Sequence, residues 1–174
     1  MGLDAHLKSK IYYDSPIGPL EIVGSDSGLA EVNFVEAMGT DDPMAHTPVR
    51  MAAEQFDSYF NHRRQAFCLK LCPQGTTFQK KVWRALLTIP YGEVASYQTI
   101  ARAVGKALAC RAVGGANGKN PLPIIVPCHR VIGQDGTLTG YSSGLWRKAW
   151  LLSHEDMQIE KGRVVDYQML ETTV

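Results

Sequence analysis

The sequence predicts an α+β protein in two lobes. Three observations carry that prediction: strand-like alternation in the first third, helical periodicity after Gly75, and a reversal of charge at the same place. Residues 1–75 hold six Lys/Arg against ten Asp/Glu, whereas residues 76–155 hold ten against three. The net charge of +1 for all 174 residues hides this asymmetry. Phosphate backbones attract such positive charge, so the second lobe is the expected nucleic-acid face and the first is not.

The first lobe, residues 1–75, reads as a three-stranded antiparallel meander. Ile11-Tyr12-Tyr13, Pro19 to Val23 and Leu29 to Val35 alternate, and the turn formers Asp14 to Gly18 and Gly24 to Gly28 separate them. Ala37 to Thr47 reads as a loop. Pro48 to Phe60 places Met51, Phe56, Tyr59 and Phe60 at helical spacing, and Ala66 to Leu71 reads as a returning strand. No chemistry is evident here, and the expected role is support.

The second lobe, residues 76–156, opens after Cys72-Pro73-Gln74-Gly75. Thr76 and Gln79 have capping-box spacing, Val82, Trp83, Leu86 and Leu87 give the first helix an apolar face, and Pro90-Tyr91-Gly92 ends it. Ser96 to Gly105 and Ala107 to Ala116 read as two short helices around a glycine turn, a helix-turn-helix with a slim second helix. A last helix starts near Ser143 and runs through Glu155. Residues 157–174 read as a polar, poorly ordered tail.

Nothing approaches the roughly 20 apolar residues that cross a membrane, and Met1 to Lys10 lacks the apolar core of a signal peptide. A cytoplasmic protein is expected. Cys68, Cys72, Cys110 and Cys128 form no dense secreted-type framework, and no second Cys or His pair stands at finger-like spacing from Cys68 and Cys72. No metal site is expected.

The chemistry concentrates in Ile124-Ile125-Val126-Pro127-Cys128-His129-Arg130-Val131-Ile132. Cysteine attacks as the thiolate, and a nearby imidazole is one of the few devices that generates it. Adjacent side chains diverge in regular structure, so Cys128 and His129 are expected to communicate through a water in an irregular segment bounded by Pro123 and Pro127. A cysteine in an apolar run also serves as inert core filler, so the flanking blocks decide between the two readings.

Those blocks are Tyr91 to Gln98, Arg111-Ala112-Val113-Gly114-Gly115-Ala116-Asn117-Gly118-Lys119-Asn120-Pro121, Gly140-Tyr141-Ser142-Ser143-Gly144 and Trp146 to Glu155. Together with Pro127-Cys128-His129-Arg130-Val131, the region from about Gly75 to Glu155 resembles the O6-alkylguanine-DNA alkyltransferase family, the methylated-DNA–protein-cysteine methyltransferases. The resemblance implies a ribonuclease-H-like first lobe and a helical second lobe carrying the helix-turn-helix and the cysteine. It implies DNA repair by irreversible transfer of an alkyl group from O6 of guanine, with O4-alkylthymine as a further substrate, to the protein's own Cys128. Each molecule would act once, without metal or cofactor, on double-stranded DNA, as a monomer with room for cooperativity along the strand.

Residue by residue, the resemblance makes Cys128 the nucleophile, His129 its water-linked base, and Glu155 the carboxylate that orients His129. Tyr97 would donate to N3 of the leaving base. Asn120 would tie the two halves of the active lobe together. The Val131 carbonyl, Tyr141 and Ser142 would line the base pocket. At Ser143 the chain departs from a common glycine, and its side chain would narrow that pocket against bulky adducts. Arg111 would replace the rotated-out nucleotide, while Gln98 and Lys106 would meet phosphates. The zinc carried by some members on N-terminal cysteines does not carry over, since no cysteine precedes Cys68.

Two rival readings remain. A noncatalytic lesion-binding module would bind DNA without changing, as related proteins lacking the cysteine do. A Cys-His-Glu thiol hydrolase would turn over repeatedly without a lasting adduct.

Overall fold

A computed structural model describes residues 7–171. The chain divides between Gln74 and Gly75 into two compact units.

In the first unit β1 (Ser9–Ser15), β2 (Gly18–Ser25) and β3 (Gly28–Phe34) form the antiparallel meander in the order β1-β2-β3. Ile17, Leu20, Ile22, Leu29 and Val32 are buried and pack one face of the sheet against α1 (Thr47–Phe60), which contributes Val49, Ala52, Phe56 and Tyr59. Pro48 stands in the first turn of α1, where its missing N–H costs nothing. Met51, expected on the apolar stripe, faces solvent, because the stripe is set by Val49, Ala52 and Phe56 instead.

The returning strand expected over Ala66 to Leu71 is reduced to one bridge. Leu29 N donates to Lys70 O at 2.8 Å and Cys72 N donates to Leu29 O at 2.7 Å, parallel to β3. The buried amide of Gln55 holds the segment from the other side, accepting from Cys68 N and donating to Cys68 O. Side-chain pairing with a helix thus replaces a ladder.

The second unit opens with α2 (Thr77–Leu86), whose capping box is complete: Gln79 N donates to Thr76 Oγ1 and Thr76 N donates to Gln79 Oε1. The helix stops at Leu86, four residues before the proline expected to end it. Buried Trp83 donates its indole N–H to Ala116 O at 2.9 Å, fastening α2 to α4 (Cys110–Gly118). Between them run β4 (Ala95–Ser96) and α3 (Tyr97–Ala103), the latter capped by the Ser96 hydroxyl. α3 and α4 flank a turn at Gly105, where φ is +74°, giving the expected helix-turn-helix.

β4 pairs in parallel with β5 (Val131–Ile132), which follows a 3-10 turn over Cys128–Arg130. α5 (Leu145–His154) closes the expected set. The tail departs from expectation. Residues Gln158–Glu160 (β6) and Arg163–Val165 (β7) form a hairpin, and Leu170 N then donates to Val94 O at 2.8 Å. Val164, Ile159, Tyr167 and Met169 pack on Val94, Ile132, Leu138 and Leu152. A polar average concealed apolar residues spaced to cover that cluster.

Candidate active site

The segment Asn120 to Arg130 is irregular and buried from Leu122 to Arg130. Ile124 lies at φ +74°, a conformation that β-branched residues rarely adopt, and it is held there by its surroundings. Asn120 is the main brace: its Nδ2 donates to Val126 O at 2.8 Å and its Oδ1 accepts from Leu122 N at 3.0 Å. The tight loop so formed delivers Pro127 and the 3-10 turn, on which Cys128 is 5 % exposed.

His129 and Glu155 are both fully buried, and His129 Nε2 lies 2.9 Å from Glu155 Oε1. Burial on its own would raise the Glu155 carboxyl, but His129 and the guanidinium of Arg130 outweigh it and hold the group far below the ordinary carboxylate range. Arg130 grips both carboxylate oxygens, at 2.7 and 2.9 Å, and also donates to Ile89 O. Burial lowers the His129 pKa, so the ring is neutral at pH 7. An ionised carboxylate only accepts, so Nε2 carries the proton and Nδ1 keeps its lone pair. That Nδ1 is buried and has no hydrogen-bond partner among the described residues.

The sulfur itself is not a resting thiolate. Burial pushes the Cys128 thiol up, against smaller opposing effects from the Asn120 side chain, the Lys148 charge and the local backbone amides.

Two groups escaped sequence reasoning. Lys148 is fully buried on α5, and its ammonium donates to Val131 O at 2.5 Å and Thr139 O at 2.6 Å. Burial lowers its pKa to about 8, with the nearby Cys128 opposing the shift. Its spacing of seven from Glu155, two helical turns, was the available signal. Arg130 was the other, overlooked beside a more reactive neighbour.

Tyr97 is half-buried at the start of α3 and donates to Thr139 O at 3.2 Å. Burial raises its pKa, which keeps the hydroxyl a donor. Tyr141 is buried with a hydroxyl that has no partner among the described residues. Ser142 is exposed and Ser143 half-buried, the latter's carbonyl accepting from Arg147 at 2.7 Å. Val131 O keeps a second lone pair beyond the one Lys148 uses.

Arg111 is exposed in the first turn of α4, and Lys106 is exposed in the preceding turn with its ammonium 5.5 Å from the Phe78 ring centre. Gln98 is differently employed from the expected phosphate contact. Its Nε2 donates to Ala107 O at 2.7 Å and its Oε1 accepts from the Cys110 thiol at 3.1 Å, so both ends of the amide brace the helix-turn-helix. The outward face of α4 carries Arg111, Ala112, Gly115, Gly118 and Lys119. Side chains at Gly115 or Gly118 would meet open space, so nothing within the fold requires glycine at either position. Among the described residues, no group of three or more His, Cys, Asp or Glu could hold a metal ion.

Family models match both units: the 6-O-methylguanine DNA methyltransferase DNA-binding domain over residues 77–157, and the ribonuclease-like domain of the same family over residues 9–73. The chain belongs to the 6-O-methylguanine DNA methyltransferase family.

This DNA-repair methyltransferase is 48 % identical over 154 residues to the methylated-DNA–protein-cysteine methyltransferase of Methanosarcina barkeri, covering 84 % of this chain and 98 % of the relative. It is 47 % identical over 157 residues to that of Mycobacterium tuberculosis, covering 86 % and 90 %. The crystal structure of the M. tuberculosis O6-methylguanine methyltransferase superposes with a TM-score of 0.77 at 46 % identity, over 86 % of this chain and 93 % of that one. A structure of the M. tuberculosis protein in complex with DNA gives a TM-score of 0.77 at 48 % identity, over 84 % and 91 %. The agreement in fold extends to the N-terminal antiparallel sheet with its helix.

Proposed function

We propose that the methyltransferase removes alkyl groups from O6 of guanine in duplex DNA, and less centrally from O4 of thymine, by moving them irreversibly onto Sγ of Cys128. The observation that carries this reading is the buried Cys128 beside a neutral His129. The proton of His129 faces Glu155, and its lone pair, on Nδ1, has no partner among the described residues.

At rest the thiol is protonated and protected by burial. As sulfur attacks the sp3 carbon in line, a bridging water passes the thiol proton to Nδ1, and the Glu155 carboxylate, held in place by Arg130, stabilises the resulting imidazolium. The S–C bond forms and the C–O bond breaks, leaving the electron pair on the purine. Tyr97 turns its one O–H from the Thr139 carbonyl to N3 of that base as its charge develops. Tyr141 walls the pocket, the Val131 carbonyl accepts from the exocyclic amine, and the Ser142 and Ser143 backbone lies near O6. A thioether is a poor leaving group, so each molecule acts once.

The target atom lies inside the base stack, so the nucleotide must rotate out, at a cost of roughly a few kcal/mol. Arg111 fills the gap. The small-residue face of α4 approaches the minor groove, with Lys106 and Lys119 toward phosphates.

Intact-protein mass spectrometry after incubation with an O6-methylguanine duplex tests the proposal. One permanent CH2 increment mapped to Cys128, absent in Cys128→Ala, supports it. An unchanged mass with an intact lesion indicates a lesion-binding module, and lesion loss without a lasting adduct indicates a hydrolase. Either result overturns it.

A further inference from the structure

Leu108 sits in the turn between α3 and α4 and is 102 % exposed, more than any other large apolar side chain among the described residues. Single exposed leucines are ordinary on protein surfaces. Three features of its setting are not. The backbone that carries it is pinned: Gly105 N donates to Arg102 O, Lys106 N to Ala101 O and Ala109 N to Lys106 O, all within 2.9 Å. Gln98 clamps the residues on either side, Ala107 through its carbonyl and Cys110 through its thiol. The side chain is therefore held out into solvent by a stiff support, which a leucine seeking cover in its own fold would not need.

The second feature is charge. From Tyr97 to Lys119 the chain carries Arg102, Lys106, Arg111 and Lys119 and no Asp or Glu, and all four cations are exposed. An apolar tip on a segment whose charges are all positive suits a polyanion with an apolar interior. Third, Leu108 lies two residues before Cys110, where α4 begins, and Arg111 stands in the first turn of α4, so both belong to the N-terminal end of that helix.

We infer that Leu108 is an apolar wedge that enters the base stack of duplex DNA from the minor groove, at the step next to the one Arg111 fills. The inference rests on the DNA-binding reading above and adds a residue and a task to it. Arg111 substitutes for the nucleotide that leaves, and Leu108 prises apart the neighbouring step so that leaving is cheaper. Apolar residues inserted between base steps unstack and kink duplexes in this way. Burying a leucine tip contributes enough to change duplex affinity by about tenfold or more.

The test compares the parent with Leu108→Ala, Leu108→Phe and Lys106→Ala, using a duplex that carries O6-methylguanine with a fluorescent aminopurine at the adjacent step. Binding by the parent and by Leu108→Phe is expected to raise aminopurine fluorescence, and Leu108→Ala to abolish most of the rise. For Leu108→Ala, the ratio of the transfer rate on duplex to that on free alkylguanine base should fall about tenfold. Its salt dependence of binding should match the parent's, whereas Lys106→Ala should flatten the slope. Melting temperatures report any unfolding separately. Equal fluorescence and equal duplex affinity for Leu108→Ala and the parent overturn the wedge. So does a loss confined to binding of anionic lipid vesicles. A parent that raises aminopurine fluorescence through Leu108 but gains no methyl group sinks the transfer reading and leaves the wedge standing.

Discussion

The hydroxyl of Tyr97 and the ammonium of Lys148 converge on one acceptor, the carbonyl oxygen of Thr139, at 3.2 and 2.6 Å. A side chain from the helix-turn-helix and one from α5 are thereby fixed relative to each other, and Lys148 extends the link to the Val131 carbonyl. Whatever orients the Tyr97 hydroxyl also orients the Val131 carbonyl. The cation at the junction is the vulnerable member, because burial brings its pKa down to about 8.

That value sets a pH dependence. As pH rises through about 8, Lys148 loses its proton and with it a positive charge near the Cys128 sulfur. An arginine stays charged throughout this range. The ratio of the single-turnover transfer rate of Lys148→Arg to that of the parent should therefore climb between pH 7 and 9. A flat ratio would separate the lysine charge from the chemistry.

Gly140 offers a steric route to the same junction. Its φ is +58°, and an added Cβ would lie 2.9 Å from the Tyr97 hydroxyl. Gly140→Ala should displace that hydroxyl and slow transfer from duplex and free base alike, by about tenfold for each 1.4 kcal/mol of lost stabilisation. Tyr97→Phe should show a comparable loss, and the double variant should be little worse than either, since both remove one interaction.

Acid should unfold the protein through the His129–Glu155 pair. The Glu155 carboxyl is depressed in the fold, so its contribution is complete above the ordinary carboxylate range and is lost progressively as pH falls from there through the depressed value. His129 is also depressed, so below about pH 6.5 the unfolded chain takes up a proton that the folded chain refuses. Both effects have the same sign. Melting temperature should decline from about pH 6.5 downward and steepen below about pH 4.5. Glu155→Gln should melt lower at pH 7 and show a shallower acid decline.

Much of this site was legible before any coordinates. Cys128, His129 and Glu155 stand in motifs whose order and spacing survive as a pattern, and the capping box at Thr76 is a local rule that the structure obeys. What stayed hidden depends on nonlocal burial. Lys148 has no role evident in sequence, because only the docking of α5 sets its ammonium between two carbonyls. Gln98 reads as a phosphate contact until the turn folds back and occupies both ends of its amide. The tail misled for a related reason: Val164 and Met169 are diluted by charged neighbours in sequence, and only the hairpin aligns them with Val94 and Ile132.

The tail therefore carries stability. Val164 is 3 % exposed in the cluster that includes Val94, the residue just before β4. Val164→Ala should cost about 2 kcal/mol, lowering the melting temperature by about 5 °C. Ending the chain after Met157 should cost more, because the Leu170 bond to the Val94 carbonyl is lost as well. A truncated protein that melts with the parent would show the hairpin to be ornamental.

Gly115 and Gly118 give a test in which stability and function move in opposite directions. Both lie on the outward face of α4, and a methyl group at either position would meet nothing in the protein. Glycine inside a helix is less favourable than alanine by about 1 kcal/mol, so each Gly→Ala change should stabilise the fold by up to that amount. If the face is bare so that DNA can approach the helix backbone, the added methyl groups hold the duplex away. The double variant should melt higher than the parent, react more slowly with a methylated duplex, and retain its rate on free alkylguanine base. Faster or unchanged duplex repair by the stabilised variant would mean that this helix face does not enter the groove.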